Sequence, residues 1–130
     1  MKNYKIMAYD NQNIFAKILR GEIPASKIYE DDFILAFHDI FKASPTHILI
    51  IPKGEYENYC DFVNNAKSEE ITHFFKKISQ LASELGVLAN GFRLISNQGN
   101  DSNQTVKHFH VHLLAGKKLG PLIANDEKLR

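Results

Sequence analysis

Apolar residues recur at helical spacing in one long segment near the middle of the chain. Within residues 69–85 an apolar face forms at the 3.6-residue period, made by Ile71, Phe74, Phe75, Ile78, Leu81, Ala82 and Leu85. Ser68 precedes the segment as a candidate N-cap, and two glutamates follow where the helix dipole favours negative charge. Gly86 suits the left-handed position after a helix. The pattern therefore predicts a helix over residues 69–85.

Two shorter segments repeat the helical spacing. Residues 14–20 carry one apolar stripe, with Asn13 suited to cap the first turn and Gly21 to end the last. A second short helix is predicted by the apolar side chains at i, i+3, i+4 and i+7, which are Tyr56, Tyr59, Cys60 and Val63.

Short runs rich in β-branched and aromatic residues predict five strands, over residues 27–30, 33–38, 47–52, 92–96 and 107–114. The connections favour a five-stranded antiparallel sheet with one long and one or two short helices packed on one face, an α+β arrangement. We expect a single domain over residues 1–130, with a flexible leader over residues 1–10 and a loose tail over residues 121–130.

Charge and composition exclude several classes of function. The chain has 16 Lys and Arg against 15 Asp and Glu, so no basic field attracts bulk nucleic acid or an anionic membrane. The single cysteine, Cys60, excludes an internal disulfide and a four-cysteine zinc site. No apolar run approaches the ~20 residues of a membrane span, and the first residues lack the apolar core of a signal peptide. These features predict a cytoplasmic protein.

Three of the six histidines alternate with apolar residues near the end of the chain. Strand alternation places His108, His110 and His112 on one face of the sheet and turns the residues between them into the core. Packing alone does not explain three imidazoles in register. A metal site would use them as ligands. Catalysis at phosphorus would use the central imidazole as the nucleophile and its neighbours to orient it and move a proton. A lone histidine, His73, reads as a surface or packing residue.

The alternating pattern resembles the signature of the histidine-triad (HIT) family. Further segments, in the same order and at similar spacing, resemble its nucleotide-binding, purine nucleoside phosphoramidase-like branch, in the bacterial form: residues 13–18, 21–25, 36–40, 45–47, 50–53 and 97–99. The resemblance covers residues 13–123.

The resemblance implies roles for individual side chains. It makes His110 the nucleophile, with His108 and His112 beside it and His47 helping to orient the cluster. The implied substrate-binding residues fall into three groups: Asp39 for the ribose hydroxyls; Asn97, Asn103 and Thr105 near the phosphate; and Phe15, Ile18, Phe37, His38 and Ile40 around the base. Asn103 stands where relatives commonly have glycine, which could alter the shape of the phosphate loop.

The resemblance also implies an activity and an assembly. The expected reaction is hydrolysis of purine nucleoside 5′-phosphoramidates, or related AMP conjugates, through a nucleotidyl-histidine intermediate. The resemblance implies no cofactor and no metal. It also implies a homodimer that forms through the long helix and a neighbouring strand. Some relatives are reported to hold zinc with a Cys-x-x-Cys pair at the positions of Asn13 and Ala16, so that accessory site is not expected here.

Three alternatives stay open at this point. One is a dinucleoside polyphosphate hydrolase of a sister branch. The second is a nucleotide-dependent binding or regulatory protein with little catalysis. The third is a metal-dependent hydrolase that uses the same imidazoles.

Overall fold

Five antiparallel strands build one sheet in the computed structural model, which describes residues 8–124. The strands are β1 (Lys27–Glu30), β2 (Ile34–His38), β3 (Thr46–Pro52), β4 (Arg93–Ile95) and β5 (Val111–Ala115), in the spatial order β1-β2-β3-β5-β4. Three helices accompany them: α1 (Ile14–Leu19), α2 (Tyr59–Asn65) and α3 (Ser68–Glu84). The α+β class and the five-stranded antiparallel sheet are confirmed. No helix within residues 8–124 is long and apolar enough to cross a membrane.

The helices pack on both faces of the sheet, so the prediction of a single helical face is wrong. On one face, Phe62 of α2 and Phe74 of α3 join the core with Phe109, Val111 and Leu113. The opposite face carries α1 in a second apolar cluster of Phe15, Ile18, Leu35, Phe37, Leu49 and Ile51. The physical reason is visible in β2 and β3, whose apolar runs are continuous rather than alternating, because both of their faces are buried.

The helix starts differ in detail from the predictions. Asn13 caps α1 as expected, its side-chain oxygen accepting from the Ala16 N–H at 2.9 Å. The second helix begins at Tyr59 rather than Tyr56, because Asn58 supplies the cap there. Ser68 is not a cap but the first residue of α3, and Lys67 holds the cap position with no side-chain hydrogen bond.

The predicted last strand is shorter than expected, and its first two histidines precede it. The ladder between β3 and β5 reaches only to the Ile50–Val111 pair. Further pairing is blocked near Pro52, which lacks an N–H and whose carbonyl accepts from the side chain of His108 at 2.8 Å. The side-chain alternation nevertheless holds, since Phe109 and Val111 both enter the core beside α2 and α3.

The expected flexible ends fall mostly outside the described residues. Residues 1–7 and 125–130 are not described. Within the expected leader, Tyr9 is half-buried and hydrogen-bonded to Asn13, and the flexible leader stays a prediction.

Candidate active site

A cavity of about 450 Å³ opens between α1, the end of β2 and the segment that precedes β5. It is lined by nearly all the residues that sequence reasoning proposed for the site: Phe15, Ile18, Phe37, His38, Asp39, Ile40, Asn97, Asn103, Thr105, His110 and His112. The other two proposed residues, His47 and His108, lie behind the wall, both buried. Residues of α1 and the end of β2 therefore meet the triad, about 70 to 100 residues further along the chain, at one cavity.

Sequence reasoning missed part of the apolar wall. The additional lining residues are Ile14, Ile23, Pro24, Ala25, Phe41, Leu49 and Val106. The sequence did contain a signal for Phe41, because it directly follows Ile40, which was already proposed for the site. In the structure both residues are 83% exposed at the rim of the cavity. Exposed apolar side chains beside a cavity are available to cover an apolar ligand.

The lining contains no lysine or arginine among the residues described. An anion in this cavity would therefore be held by neutral donors, which the side chains of Asn97, Asn103 and Thr105 and the imidazoles can supply. This agrees with the near-zero net charge of the chain, since local hydrogen-bond donors bind a phosphate without a basic surface.

The hydrogen bond of His110 fixes which of its nitrogens is free. Its Nδ1 lies 2.6 Å from the carbonyl oxygen of His108, and a carbonyl only accepts, so Nδ1 carries the proton. In the neutral ring, Nε2 then holds an unshared electron pair. Burial lowers the pKa of His110 below its ordinary value, against the opposing effects of the His108 carbonyl and Asp39. The ring packs edge-on against Phe15, with centroids 4.9 Å apart.

The tautomers of His47 and His112 follow from one backbone donor. The Ala43 N–H donates to Nδ1 of His47 at 3.0 Å, so the proton of neutral His47 is on Nε2. That Nε2 lies 2.8 Å from Nδ1 of His112, which must accept. The proton of His112 is therefore on its own Nε2. Burial, with a smaller effect of the neighbouring His110 and His47, lowers the pKa of His112 to about 4 against the opposing effect of Asp39.

Two groups with opposite roles thus lie side by side. The ring centroids of His110 and His112 lie 5.1 Å apart with 70° between the ring planes, one ring offering a lone pair and the other an N–H donor. A nucleophile next to a proton donor is the arrangement that displacement of a poor leaving group requires.

Asp39 connects the cavity wall to this chain of imidazoles. One carboxylate oxygen accepts from the Phe41 N–H at 2.8 Å, and the other lies 3.3 Å from Nε2 of His47. The carboxylate is largely buried yet lines the cavity, so its remaining lone pairs can accept hydrogen bonds from the hydroxyl groups of a ligand.

The loop before the triad is shaped by a buried glutamine that sequence reasoning did not single out. The side chain of Gln104 accepts from the Gly99 N–H at 3.0 Å and donates to the carbonyls of Glu57 and Val106. These bonds close the loop that carries Asn97 and Asn103 to the cavity. Only its position next to Thr105 could have drawn attention to it.

A divalent cation fits this cluster poorly. Asp39, His47 and His112 bring three potential ligand atoms within 4.8 Å of one another. A histidine that binds metal through Nε2 ordinarily carries its proton on Nδ1 and donates it to an acceptor. The Ala43 N–H already points at Nδ1 of His47, so metal binding would set two N–H groups against each other. The donor set favours the hydrogen-bonded chain over a metal centre.

Comparison with known proteins places this geometry in a family. The HIT domain model matches residues 20–119. An uncharacterized HIT-like protein of Rickettsia prowazekii is 50% identical over 92% of this chain and 99% of its own length. The purine nucleoside phosphoramidase of Escherichia coli K12 is 39% identical, over 88% of this chain and 95% of its own.

Solved structures agree. A histidine triad protein from Clostridium difficile superposes with a TM-score of 0.76 at 40% identity, covering 95% of this chain and all of its own. A HIT family hydrolase from Clostridium thermocellum gives a TM-score of 0.78 at 38% identity, over 86% of this chain and 96% of its own. The chain is therefore a member of the HIT family.

Proposed function

We propose that this protein is a nucleotide-binding hydrolase that cleaves purine nucleoside 5′-phosphoramidates, or related AMP conjugates, with His110 as the nucleophile. The observation that carries the proposal is the free Nε2 lone pair of His110, in a ring that lines the cavity and whose proton is held on the other nitrogen by a carbonyl. The similarity to a purine nucleoside phosphoramidase over most of both chains supports the substrate class.

The proposed reaction has two displacements. In the first, Nε2 of His110 attacks phosphorus and the bond between phosphorus and the leaving nitrogen breaks. That nitrogen accepts a hydrogen bond from Nε2–H of His112 and leaves as the amine with a proton taken from the solvent. In the second, water attacks phosphorus, the bond to His110 breaks, and the proton released by the water returns to the solvent. The nucleotide leaves as AMP, and both imidazoles keep their starting protonation.

The rest of the cavity is proposed to hold the nucleotide. The carboxylate of Asp39 accepts the ribose hydroxyls, and Asn97, Asn103 and Thr105 donate to the phosphate. The base lies within the wall made by Phe15, Ile18, Phe37, His38 and Ile40, where apolar and aromatic surface is buried on binding. Because the wall offers mainly shape and stacking, recognition of a purine over a pyrimidine is expected to depend on ring area.

The decisive test is AMP release from adenosine 5′-phosphoramidate by the wild-type protein and by His110→Ala. We expect release to fall by about a thousandfold or more in the variant, because the nucleophile is gone. His73→Ala is the matched control, since His73 lies outside the cavity and pairs with Asp31 at 2.6 Å. Intact-protein mass spectrometry after an alkaline quench should find a nucleotidyl adduct on the wild type alone.

The same assay separates the alternatives. Faster turnover of a dinucleoside polyphosphate than of the phosphoramidate would move the protein to the sister branch. A folded protein that binds AMP and releases none from the phosphoramidate would be a binding module. Release that is abolished by EDTA and restored by zinc would establish the metal-dependent hydrolase and overturn the covalent histidine mechanism.

The proposal also includes a homodimeric assembly and a cytoplasmic location. A homodimer through α3 and a neighbouring strand would cover exposed apolar side chains at the edge strand β4, where Leu94 is 43% exposed and Phe92 directly precedes the strand. A single domain in the cytoplasm, with no bulk nucleic acid or membrane as a partner, stays a prediction from composition and charge.

A further inference from the structure

The segment before α1 contributes a side chain to the back of the triad. Tyr9 is half-buried, and its hydroxyl is hydrogen-bonded to Nδ1 of His108, 99 residues further along the chain. The two rings meet edge to face, with centroids 5.7 Å apart. The same hydroxyl accepts from Nδ2 of Asn13 at 2.8 Å.

Every hydrogen bond in this group has one possible direction. Nε2 of His108 lies 2.8 Å from the carbonyl oxygen of Pro52 and must donate to it. Nδ1 of neutral His108 therefore accepts, and the Tyr9 hydroxyl donates. Burial raises the pKa of Tyr9, so the hydroxyl keeps its proton at neutral pH.

Asn13 holds the tyrosine while it caps α1. Its Oδ1 accepts from the Ala16 N–H, which leaves its amide group to donate to Tyr9 and to the Asp10 carbonyl. One side chain therefore ties the first turn of α1 to the tyrosine that contacts His108.

His108 in turn holds the nucleophile. It is fully buried and does not line the cavity, so its ring does not reach a bound substrate. Its carbonyl oxygen accepts the Nδ1 proton of His110 at 2.6 Å. Hydrogen bonds to Tyr9 and Pro52 hold both ring nitrogens of His108. The backbone carbonyl of the same residue is therefore held in one orientation.

We propose that Tyr9 is a positioning residue for His110, acting through His108 and held in place by Asn13. The inference rests on the proposed role of His110 as the nucleophile. Without the tyrosine hydroxyl, the buried Nδ1 of His108 loses the donor it has among residues 8–124, and the ring and its carbonyl gain freedom to shift away from the alignment with His110.

Two variants test the proposal, with AMP release from adenosine 5′-phosphoramidate as the first measurement. Tyr9→Phe removes only the hydroxyl. Asn13→Asp keeps the helix cap but replaces the amide donor by a carboxylate, which draws the tyrosine proton away from His108. We expect kcat to fall about tenfold in each, the effect of one lost hydrogen bond, with KM within about twofold of the wild type. Tyr59→Phe, at an exposed tyrosine, is the control and should change neither constant.

A second measurement is independent of catalysis. The Nδ1 proton of His110 should exchange slowly with water in the substrate-free protein, as observed by NMR, and about tenfold faster in Tyr9→Phe and Asn13→Asp. If the wild type releases no AMP, the proposed function fails while the exchange rates still decide the positioning role. Unchanged kcat and unchanged exchange in Tyr9→Phe would overturn the proposal, and wild-type behaviour of Asn13→Asp would remove Asn13 from it.

Discussion

Asn103 lies in the loop before the triad with a φ of 63°, a conformation that glycine adopts easily. It is the one non-glycine residue with positive φ between residues 8 and 124. Asparagine tolerates this region better than most side chains, because it is short and polar and bonds locally. Asn103 is thus compatible with this backbone conformation, and it adds an amide to the cavity wall.

Gly99 is a residue at which backbone conformation alone should control activity. Its φ of 84° and ψ of −178° belong to a region that is essentially restricted to glycine, and its N–H donates to Gln104. A Cβ added there meets nothing within 4 Å, so Gly99→Ala introduces strain without a clash. We expect a loss of about 1–3 kcal/mol in stability and a lower kcat/KM for adenosine 5′-phosphoramidate, because the loop that carries Asn97 and Asn103 shifts.

Gly86→Ala provides the comparison for this prediction. Gly86 also has positive φ and open space around it, but it follows α3 and lies away from the cavity. The Gly86→Ala variant should be less stable than the wild type, while its kcat/KM for adenosine 5′-phosphoramidate should be unchanged. Equal kcat/KM in the two variants would show that the loop conformation at Gly99 does not matter for the reaction.

At the scale of elements, an aromatic cluster joins the helices to the segment that carries the triad. Phe109 lies between His108 and His110 in the sequence, and its ring stacks on Phe62 of α2 with centroids 4.9 Å apart. Phe74 of α3 contacts both rings, at 5.2 Å and 5.5 Å. Packing of α2 and α3 therefore fixes the backbone on the far side of the imidazoles.

Replacing Phe74 by alanine should remove much of this support. Phe74 is fully buried, and truncation of a buried phenylalanine typically costs about 3–5 kcal/mol, including the cavity it leaves. We expect the free energy of unfolding in urea to fall by that amount. Lys76→Ala, on the exposed side of the same helix, should change it by less than about 0.5 kcal/mol. A loss in Phe74→Ala as small as that of the control would contradict the packing account.

At the scale of the whole molecule, buried histidines should make the fold sensitive to acid. Burial holds the pKa of His108 at about 4, although the Pro52 carbonyl opposes this, and burial also holds the pKa of His112 at about 4. Between these values and the ordinary histidine pKa of about 6.5, the unfolded chain binds more protons than the folded one. The contribution of these two neutral histidines to the free energy of unfolding is complete above about pH 6.5 and is lost as the pH falls toward 4.

Asp31 adds a second window at lower pH. Partial burial disfavours its charge, but hydrogen bonds from Tyr29, the Phe33 and Ile34 N–H groups and His73 outweigh this and lower its pKa to about 2. The stabilisation by this depressed carboxylate is present above its unfolded pKa of about 3.8 and is lost as the pH falls toward 2. The two effects act in the same direction, so stability declines throughout acidification.

Urea unfolding at about pH 7.5 and about pH 5 tests the histidine window, where His108 alone should account for a loss of about 2 kcal/mol. Calorimetry in buffers of different ionisation enthalpy supplies the control, since unfolding near pH 5 should take up protons. A free energy of unfolding that does not change between these pH values would mean that the folded imidazoles bind protons at the ordinary histidine pKa, so that burial does not shift it.

The sequence alone determined the features that depend on local spacing. The alternation over residues 108–113 placed three imidazoles on one side and the apolar residues in the core, and the 3.6-residue period located α3 to within one residue at either end. The resemblance supplied the remaining lining residues that were named, from Phe15 to Thr105.

Which atoms meet depends on how distant parts of the chain pack together. The contact of Tyr9 with His108 spans 99 residues, and that of His47 with His112 spans 65. The position of α1 on the opposite face, the short β5 and the protonated nitrogen of each imidazole likewise followed from non-local partners. Residue spacing reports the direction of a side chain along one element, whereas a hydrogen-bond partner depends on the register and packing of several, and no local pattern contains that information.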